Sequence, residues 1–424
     1  MKSLLQKISS KKKLAFAWSK LNKTNKTSHG LNNVSIQDFE ENLEDKIRSI
    51  SKSLRSGNYK FSSNRAVVIP KSNGKFRPLQ VPNISDRLVL KAIAIELEQQ
   101  FKKTIDQSEG VSFAYQKRLG VKDAINMIKI HYERGNMYVL EADLIDFFGQ
   151  VDKNSLLKNR IFPNLSDSSL NSLIESALNQ KVGGLEDIPK EHRKLFDGLN
   201  NGIPQGNPLS PLLSNIHLSP FDIHLKKSKF NLVRYADDFV VLGKDKNECL
   251  EAYNECKMIL EGELKLKMHP LEDGEKTKII NIKKVSFDFL SITFDGKSFY
   301  PSKKNVDRLK TKISEKCNGG KVKHNVRSLL TKVSNVLDGW VSAFYYTEVE
   351  RYAEEIDYHI NRQLFLGLNK LKWKFSSTSK GKLPHKYKEA YQSSDCLSNL
   401  QRTNSGIPSC LELVLEKRKG TNNN

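Results

Sequence analysis

Twelve residues constrain this chain more than any others. In Asn231-Leu232-Val233-Arg234-Tyr235-Ala236-Asp237-Asp238-Phe239-Val240-Val241-Leu242, two apolar strand-like runs flank a pair of adjacent aspartates. β-Branched and aromatic residues favour strands, whereas acids are depleted there and costly to bury unpaired. The segment therefore reads as a hairpin with the two acids at its turn. Aspartate is common in hairpin turns, so a type I′ turn with polar residues is the plain alternative. Two side by side repel unless a cation holds both. A third acid, Asp143, follows the buried-looking strand Met137-Tyr138-Val139-Leu140 and then Glu141-Ala142.

Charge sharpens this reading. The 424 residues hold 70 Lys plus Arg against 48 Asp plus Glu, a net +22 that implies a polyanionic partner, most often nucleic acid. Residues 301–332 alone carry ten basic residues against Asp307 and Glu315, a net +8 that a solvated helix face explains poorly and a phosphate-tracking surface explains well. Acids at strand ends in so basic a chain point to divalent metals holding substrate phosphates. In the two-ion form of that chemistry one ion activates an attacking oxygen and the other steadies the leaving group. No run approaches the roughly 18 apolar residues of a membrane helix. The lysine-rich start, Met1 to Lys13, lacks the apolar core of an export signal, so a cytoplasmic location is expected. The five cysteines form no C-x-x-C pair, which argues for a reduced protein with no structural zinc site and no cysteine-clamped nuclease module.

Elsewhere the periodicity predicts a helix over 37–55, a strand at 66–70, a turn at Ser72-Asn73-Gly74 and a return strand after Phe76. A helix over 84–101 follows, with mostly helical chain over 155–200 and two short strands around Asp295-Gly296. Beyond residue 301 the pattern is helical to about Trp373, with a polar tail after it. In the helix from Val326, Leu329, Leu330, Val333, Val336, Leu337 and Trp340 mark a buried face.

Tyr235-Ala236-Asp237-Asp238 resembles the Y-x-D-D signature of reverse transcriptases, and other blocks appear in that family's order. Gly202-Ile203-Pro204-Gln205-Gly206 through Ser214-Asn215-Ile216 resembles P-Q-G-x-x-x-S-P-x-L-x-N, and Ala142-Asp143-Leu144-Ile145-Asp146-Phe147-Phe148 resembles the first catalytic strand. Ile69-Pro70-Lys71, Gly74 to Leu79 and Asp86-Arg87 resemble the fingers, and Gly274-Glu275-Lys276-Thr277 and Phe289-Leu290 the later blocks. The resemblance implies an α+β right-hand polymerase with fingers, a palm carrying the Y-x-D-D hairpin, and an all-α C-terminal thumb region. Its parts would be an N-terminal extension (1–64), fingers and palm (65–300), thumb (301–373) and a basic tail (374–424). The implied activity is RNA-directed DNA polymerisation, a nucleotidyl transfer from dNTPs to a primer 3′-hydroxyl.

The same resemblance assigns roles. Asp143 and Asp237 would hold two Mg²⁺ ions, with Asp238 assisting and the Leu144 carbonyl completing the shell. Lys71 and Arg77 would reach the β- and γ-phosphates. Phe148, five residues past Asp143, would lie beneath the sugar and exclude a 2′-hydroxyl, or else is an ordinary core ring. Gln205 and Gly206 would lie against the templating pair. Lys276 would protonate the leaving pyrophosphate, or merely cap a turn. Lys321, Lys323, Arg327 and Lys332 would track a nucleic-acid backbone.

Among reverse transcriptases the chain looks most like the group II intron class, echoed by Ala17-Trp18, Gly30, Val34-Ser35-Ile36, Gly339-Trp340 and Tyr345-Tyr346. It departs from that class where Ser112-Phe113-Ala114-Tyr115-Gln116-Lys117-Arg118 stands for S-Y-G-F-R-P-G, and no endonuclease is expected after Trp373. That combination resembles free-standing bacterial enzymes of phage defence, those of the type 2 systems that copy a small noncoding RNA. The partners so implied are a cognate structured RNA template, dNTPs and the DNA product. The rivals are an intron maturase without an endonuclease, and a non-catalytic RNA-binding splicing factor, which would have damaged acids.

Overall fold

A computed structural model of the protein describes residues 2–71, 74–271, 276–318, 325–371 and 396–421. Gly274, Glu275, Lys321, Lys323 and Trp373 lie outside the described residues. The chain forms two compact units, residues 1–280 and 281–424.

In the first unit, serines set the N-terminal helices. Ser3, Ser10 and Ser35 accept backbone N–H groups at the starts of Leu4–Ile8, Lys11–Ser19 and Ile36–Glu41. The helix expected over 37–55 is two, because Asn42 leaves the helical region at φ −127° before Leu43–Arg55 begins. Leu4–Ile8 and Lys11–Ser19 pack against Ile84–Gln100, which buries Leu88, Val89, Leu90, Ala92 and Ile93. Asp86 in its first turn is buried and accepts Tyr59 Oη (2.7 Å) and Ser62 N (3.1 Å).

Two sheets frame the site. In one, β1 (Asn64–Pro70) pairs antiparallel with β2 (Phe76–Val81) and parallel with β4 (Val182–Gly183). β4 interrupts the stretch expected to be mostly helical; two residues are too few to show a strand period. The other sheet has the order β5-β6-β3-β7, from β3 (Tyr138–Ala142), β5 (Asn231–Tyr235), β6 (Asp238–Gly243) and β7 (Lys278–Asn281). Its central strands bury Val139, Leu140, Val240 and Val241.

The second unit opens with β8 (Phe287–Phe289), β9 (Ile292–Phe294) and β10 (Phe299–Pro301), an antiparallel sheet of three strands where two were expected. The additional hairpin turns on Leu290 and Ser291, both left-handed (φ 53° and 67°), without the Asn-Gly chemistry that advertises such a turn. Helices Lys303–Asn318, Val326–Phe344 and Glu350–Lys370 follow. Leu329, Val333 and Leu337 of the middle one are buried at i, i+4 spacing, as its pattern predicts. The stretch read as a polar tail supplies two further helices, Asn399–Asn404 and Cys410–Thr421. They are anchored by buried Arg402, which meets Asp357 at 3.0 Å.

Candidate active site

The acids converge through strand register. β3 and β6 pair with Ala142 opposite Phe239, so the next step along both chains sets Asp143 beside Asp238. β5 and β6 close with Tyr235 opposite Asp238, which leaves Ala236 and Asp237 as the two central residues of the turn. Asp238 is therefore the first strand residue rather than part of the turn. Ala236 is left-handed at φ 61°, a strained conformation for a residue with a Cβ. Arg234 supports it, donating from Nη1 to the Ala236 carbonyl at 2.8 Å.

Electrostatics follow from that crowding. Burial raises the Asp237 carboxyl above the usual carboxylate range, Asp143 adds to the rise, and Arg77 and Arg234 oppose it. Asp238 keeps an opening to solvent, yet protein surrounds it on most sides. That desolvation, with Asp237 and Asp143, pushes its carboxyl up to about 7, while Lys276 pulls the other way. Lys276 Nζ bonds Asp143 Oδ2 at 2.8 Å, and this bond holds the ammonium above its ordinary range. Lys278 pairs with Glu141 at 3.2 Å one strand across. Asp143 thus raises both Asp237 and Asp238, with Lys276 paired to Asp143 and Arg77 and Arg234 acting on Asp237.

The other expected residues fall around this point. Arg77 and Lys71 are exposed at the end where β1 passes to β2, and the Arg77 charge acts on both Asp237 and Tyr115. Leu144 is buried; the bonds beside it run from Ile145 N to Lys267 O and from His269 N to Asp143 O, and neither uses its carbonyl. Phe148 is half-buried and meets Phe147 edge to face at 5.2 Å. Its carbonyl accepts Ile203 N at 2.8 Å, so the segment before Gln205 lies on the Phe148 backbone. Gly202 makes that approach possible, since a Cβ there would overlap the Phe148 carbonyl. Gln205 O accepts Gln80 N at 2.8 Å, and Gly206, at φ 102°, sits where a Cβ would stand 2.6 Å from Gln80 O. Gly206 is thus required by contact with β2. Arg327 (exposed) and Lys332 (half-buried) lie in the second unit.

Two residues escaped the sequence reading. Tyr115 is exposed and left-handed at φ 59°, and Asp237 and Asp238 act on its phenol. Arg234 was visible as a lone charge inside an apolar strand, a signal that marks a buried partner.

Residues 69–294 match the family model described as "Reverse transcriptase (RNA-dependent DNA polymerase)". The chain belongs to the reverse transcriptase family. Protein YkfC of Escherichia coli is 29% identical over 291 residues, covering 60% of this chain and 72% of YkfC. The group II intron-encoded protein LtrA of Lactococcus lactis subsp. cremoris is 32% identical over 242 residues, covering 55% of this chain and 37% of LtrA. This reverse transcriptase therefore matches little more than a third of that relative's length. A chain of the solved "Partial Cas6-RT-Cas1--Cas2 complex" is similar at 27% identity and a TM-score of 0.36, covering 61% of this chain and 43% of that one. The family uses divalent metal ions. Carboxylate oxygens such as those of Asp143, Asp237 and Asp238 are hard donors of the type such an ion takes. Among the described residues, no three Asp, Glu, His or Cys side chains stand together as a ready ligand set. In this structure Lys276 supplies the positive charge that Asp143 meets.

Proposed function

We propose that this reverse transcriptase extends a primer 3′-hydroxyl with dNTPs on an RNA template, and that the template is a cognate structured noncoding RNA copied in antiphage defence. The reading rests above all on one juxtaposition: Asp143, Asp237 and Asp238 at neighbouring strand ends, faced by Lys276 and by the charge of Arg77. Two Mg²⁺ ions held by the three aspartates and the Leu144 carbonyl would sharpen the attacking oxygen and neutralise the departing pyrophosphate. Arg77 offers a two-pronged fork to the triphosphate and Lys71 a point charge. The Phe148 ring lies under the sugar and leaves no room for a 2′-hydroxyl. Gln205 and Gly206 border the templating pair. Lys276, once released from Asp143, donates a proton to pyrophosphate. Lys321, Lys323, Arg327 and Lys332 track the backbone of the bound duplex.

The likeness to LtrA favours a second reading, a group II intron maturase acting on its own intron. Sequencing the RNA that co-purifies with the protein separates the two: a structured RNA without intron domains supports defence, and a self-splicing intron supports the maturase. Activity itself is tested with Asp237→Asn, which removes a metal ligand and leaves the basic surfaces alone. Primer extension with Mg²⁺ falls to background while RNA binding stays near wild type. Extension by the variant at the wild-type rate would sink the role given to Asp237, whereas a wild-type protein that extends no primer would return the non-catalytic RNA-binding reading.

A further inference from the structure

We infer that Arg234 is a positioning residue: it holds the left-handed Ala236–Asp237 turn through the Ala236 carbonyl and so aims Asp237. The inference rests on the polymerase reading only for what Asp237 does, not for the geometry.

Arg234 is 1% exposed, between Val233 and Tyr235 in a strand whose other inward residues are apolar. A guanidinium taken out of water is retained only where its donors are met. Here all five are. Nε and Nη2 bond the two oxygens of buried Asp222 at 2.6 and 2.5 Å. Nη2 also reaches Ser112 Oγ at 2.8 Å, and Nη1 reaches Asn215 Oδ1 at 3.2 Å and Ala236 O at 2.8 Å. The pair with Asp222 takes two of the five donors. The remaining three bonds go to places that bear on the site. Ser112 starts the loop that carries Tyr115, and its backbone lies beside β5, with Phe113 N donating to Arg234 O at 3.0 Å. Asn215 lies on the helix Ser210–Lys227 that follows Gly206, and it also holds Ala114 O at 2.9 Å. Ala236 is the turn itself.

The turn needs such a hold. An alanine at φ 61° is strained, and in free peptide the residue returns to negative φ. A charge-assisted bond from a fixed guanidinium to its carbonyl opposes that return. Lysine cannot replace it, since one ammonium carries three donors without the planar fork.

The test compares Arg234→Lys, which keeps the pair with Asp222, with the double variant Arg234→Met/Asp222→Leu, which replaces the buried pair by apolar side chains of similar size. Such replacements are often neutral for folding. Three quantities are read: melting temperature, kcat and KM for dNTP per folded molecule in single-nucleotide extension, and amide exchange across residues 235–238 in metal-free protein. Both variants should bind primer–template normally and exchange faster at the turn, with kcat lower by about 100-fold and KM within about threefold, as expected when a reacting group is displaced by about an ångström. Ala236→Gly, which accepts the left-handed conformation without strain, should restore about tenfold of the kcat lost in Arg234→Lys. A folded variant with wild-type exchange at the turn and kcat within about threefold of wild type overturns the inference. Should the double variant fail to fold, Arg234→Lys and its glycine rescue decide alone. A wild-type protein that extends no primer refutes the polymerase reading instead, and exchange at the turn then still decides the role of Arg234.

Discussion

Three glycines between residues 198 and 206 allow the two costs of a Cβ to be separated. Gly198 is left-handed (φ 73°) but faces open space, Gly202 has an ordinary φ of −97° but abuts the Phe148 carbonyl, and Gly206 combines φ 102° with close approach to Gln80. Alanine at 198 meets only the backbone penalty, about 1–2 kcal/mol, less the ~0.4–1 kcal/mol gained by restricting the unfolded chain, so the net loss is under about 1.5 kcal/mol. Alanine at 202 meets no backbone penalty. It forces the two segments apart, at about 1–3 kcal/mol for overpacking, and it strains the Ile203–Phe148 bond, worth about 1 kcal/mol. Alanine at 206 meets both. A φ near 100° lies outside the left-handed well that alanine tolerates, at about 1–3 kcal/mol. The 2.6 Å approach to Gln80 O adds overpacking and threatens the Gln80 N–Gln205 O bond of 2.8 Å. The sum, about 3–7 kcal/mol before the ~0.4–1 kcal/mol gained by restricting the unfolded chain, is the largest of the three. Denaturant melts of the three single variants measure the order, and single-nucleotide extension measures the consequence. Gly206→Ala should also lose about 100-fold in kcat, because the loop proposed to border the templating pair shifts by about an ångström. If Gly206→Ala were as stable and as active as Gly198→Ala, the close approach to β2 would not be what keeps glycine there.

Other outcomes follow from the same geometry. Phe148→Ala should raise ribonucleotide incorporation well above wild type in competition assays; an unchanged ratio returns Phe148 to an ordinary core position. His217 is 7% exposed, and burial with the nearby Arg160 charge depresses it to about 4 from 6.5. Its neutral form therefore supports folding above pH 6.5, and that support, up to roughly 3 kcal/mol, is lost as pH falls from 6.5 towards 4. His217→Leu should flatten stability over that window, and an unaltered pH profile refutes the assignment. Lys304, Arg308, Lys312 and Lys316 are exposed and recur every fourth residue on Lys303–Asn318, while Lys303 and Lys310 pair with Glu355. Like charges so spaced repel, so changing the four to Gln should leave the fold intact and lower the salt slope of nucleic-acid binding by up to about 3–4. An unchanged slope makes them a solvated face.

The palm was legible because its hairpin obeys local rules. Val233, Val240 and Val241 are strand formers on a buried sheet, and the acids interrupt them at the only place where a turn can go. Register then does the rest: once β5 turns at Ala236, Asp238 pairs with Tyr235, and the separate pairing of β3 with β6 brings Asp143, one residue past β3, beside it. Where local chemistry is silent, so was the sequence. Leu290-Ser291 turns left-handed with neither glycine nor asparagine, and Val182–Gly183 joins β1 for two residues only. The second is imposed by pairing between segments more than a hundred residues apart, and the first is a local hairpin, Phe287 opposite Phe294, whose turn residues carry no turn signal.

Gly206 and Arg234 show how far this goes at the site itself. Gly206 was expected to lie against the templating pair, and the close approach the fold itself shows is to Gln80 of β2, 126 residues earlier in the chain. Arg234 sat in plain view within an apolar strand, but its meaning depends on Asp222, Asn215 and Ser112, which only the folded chain assembles. The aspartates can be read from sequence because their chemistry is intrinsic to the side chain. The groups that aim them act through main-chain carbonyls, which every residue has, so no residue type announces them. An alanine held left-handed beside a catalytic-type acid therefore directs attention to whatever holds its carbonyl, and in this chain that is a fully satisfied arginine.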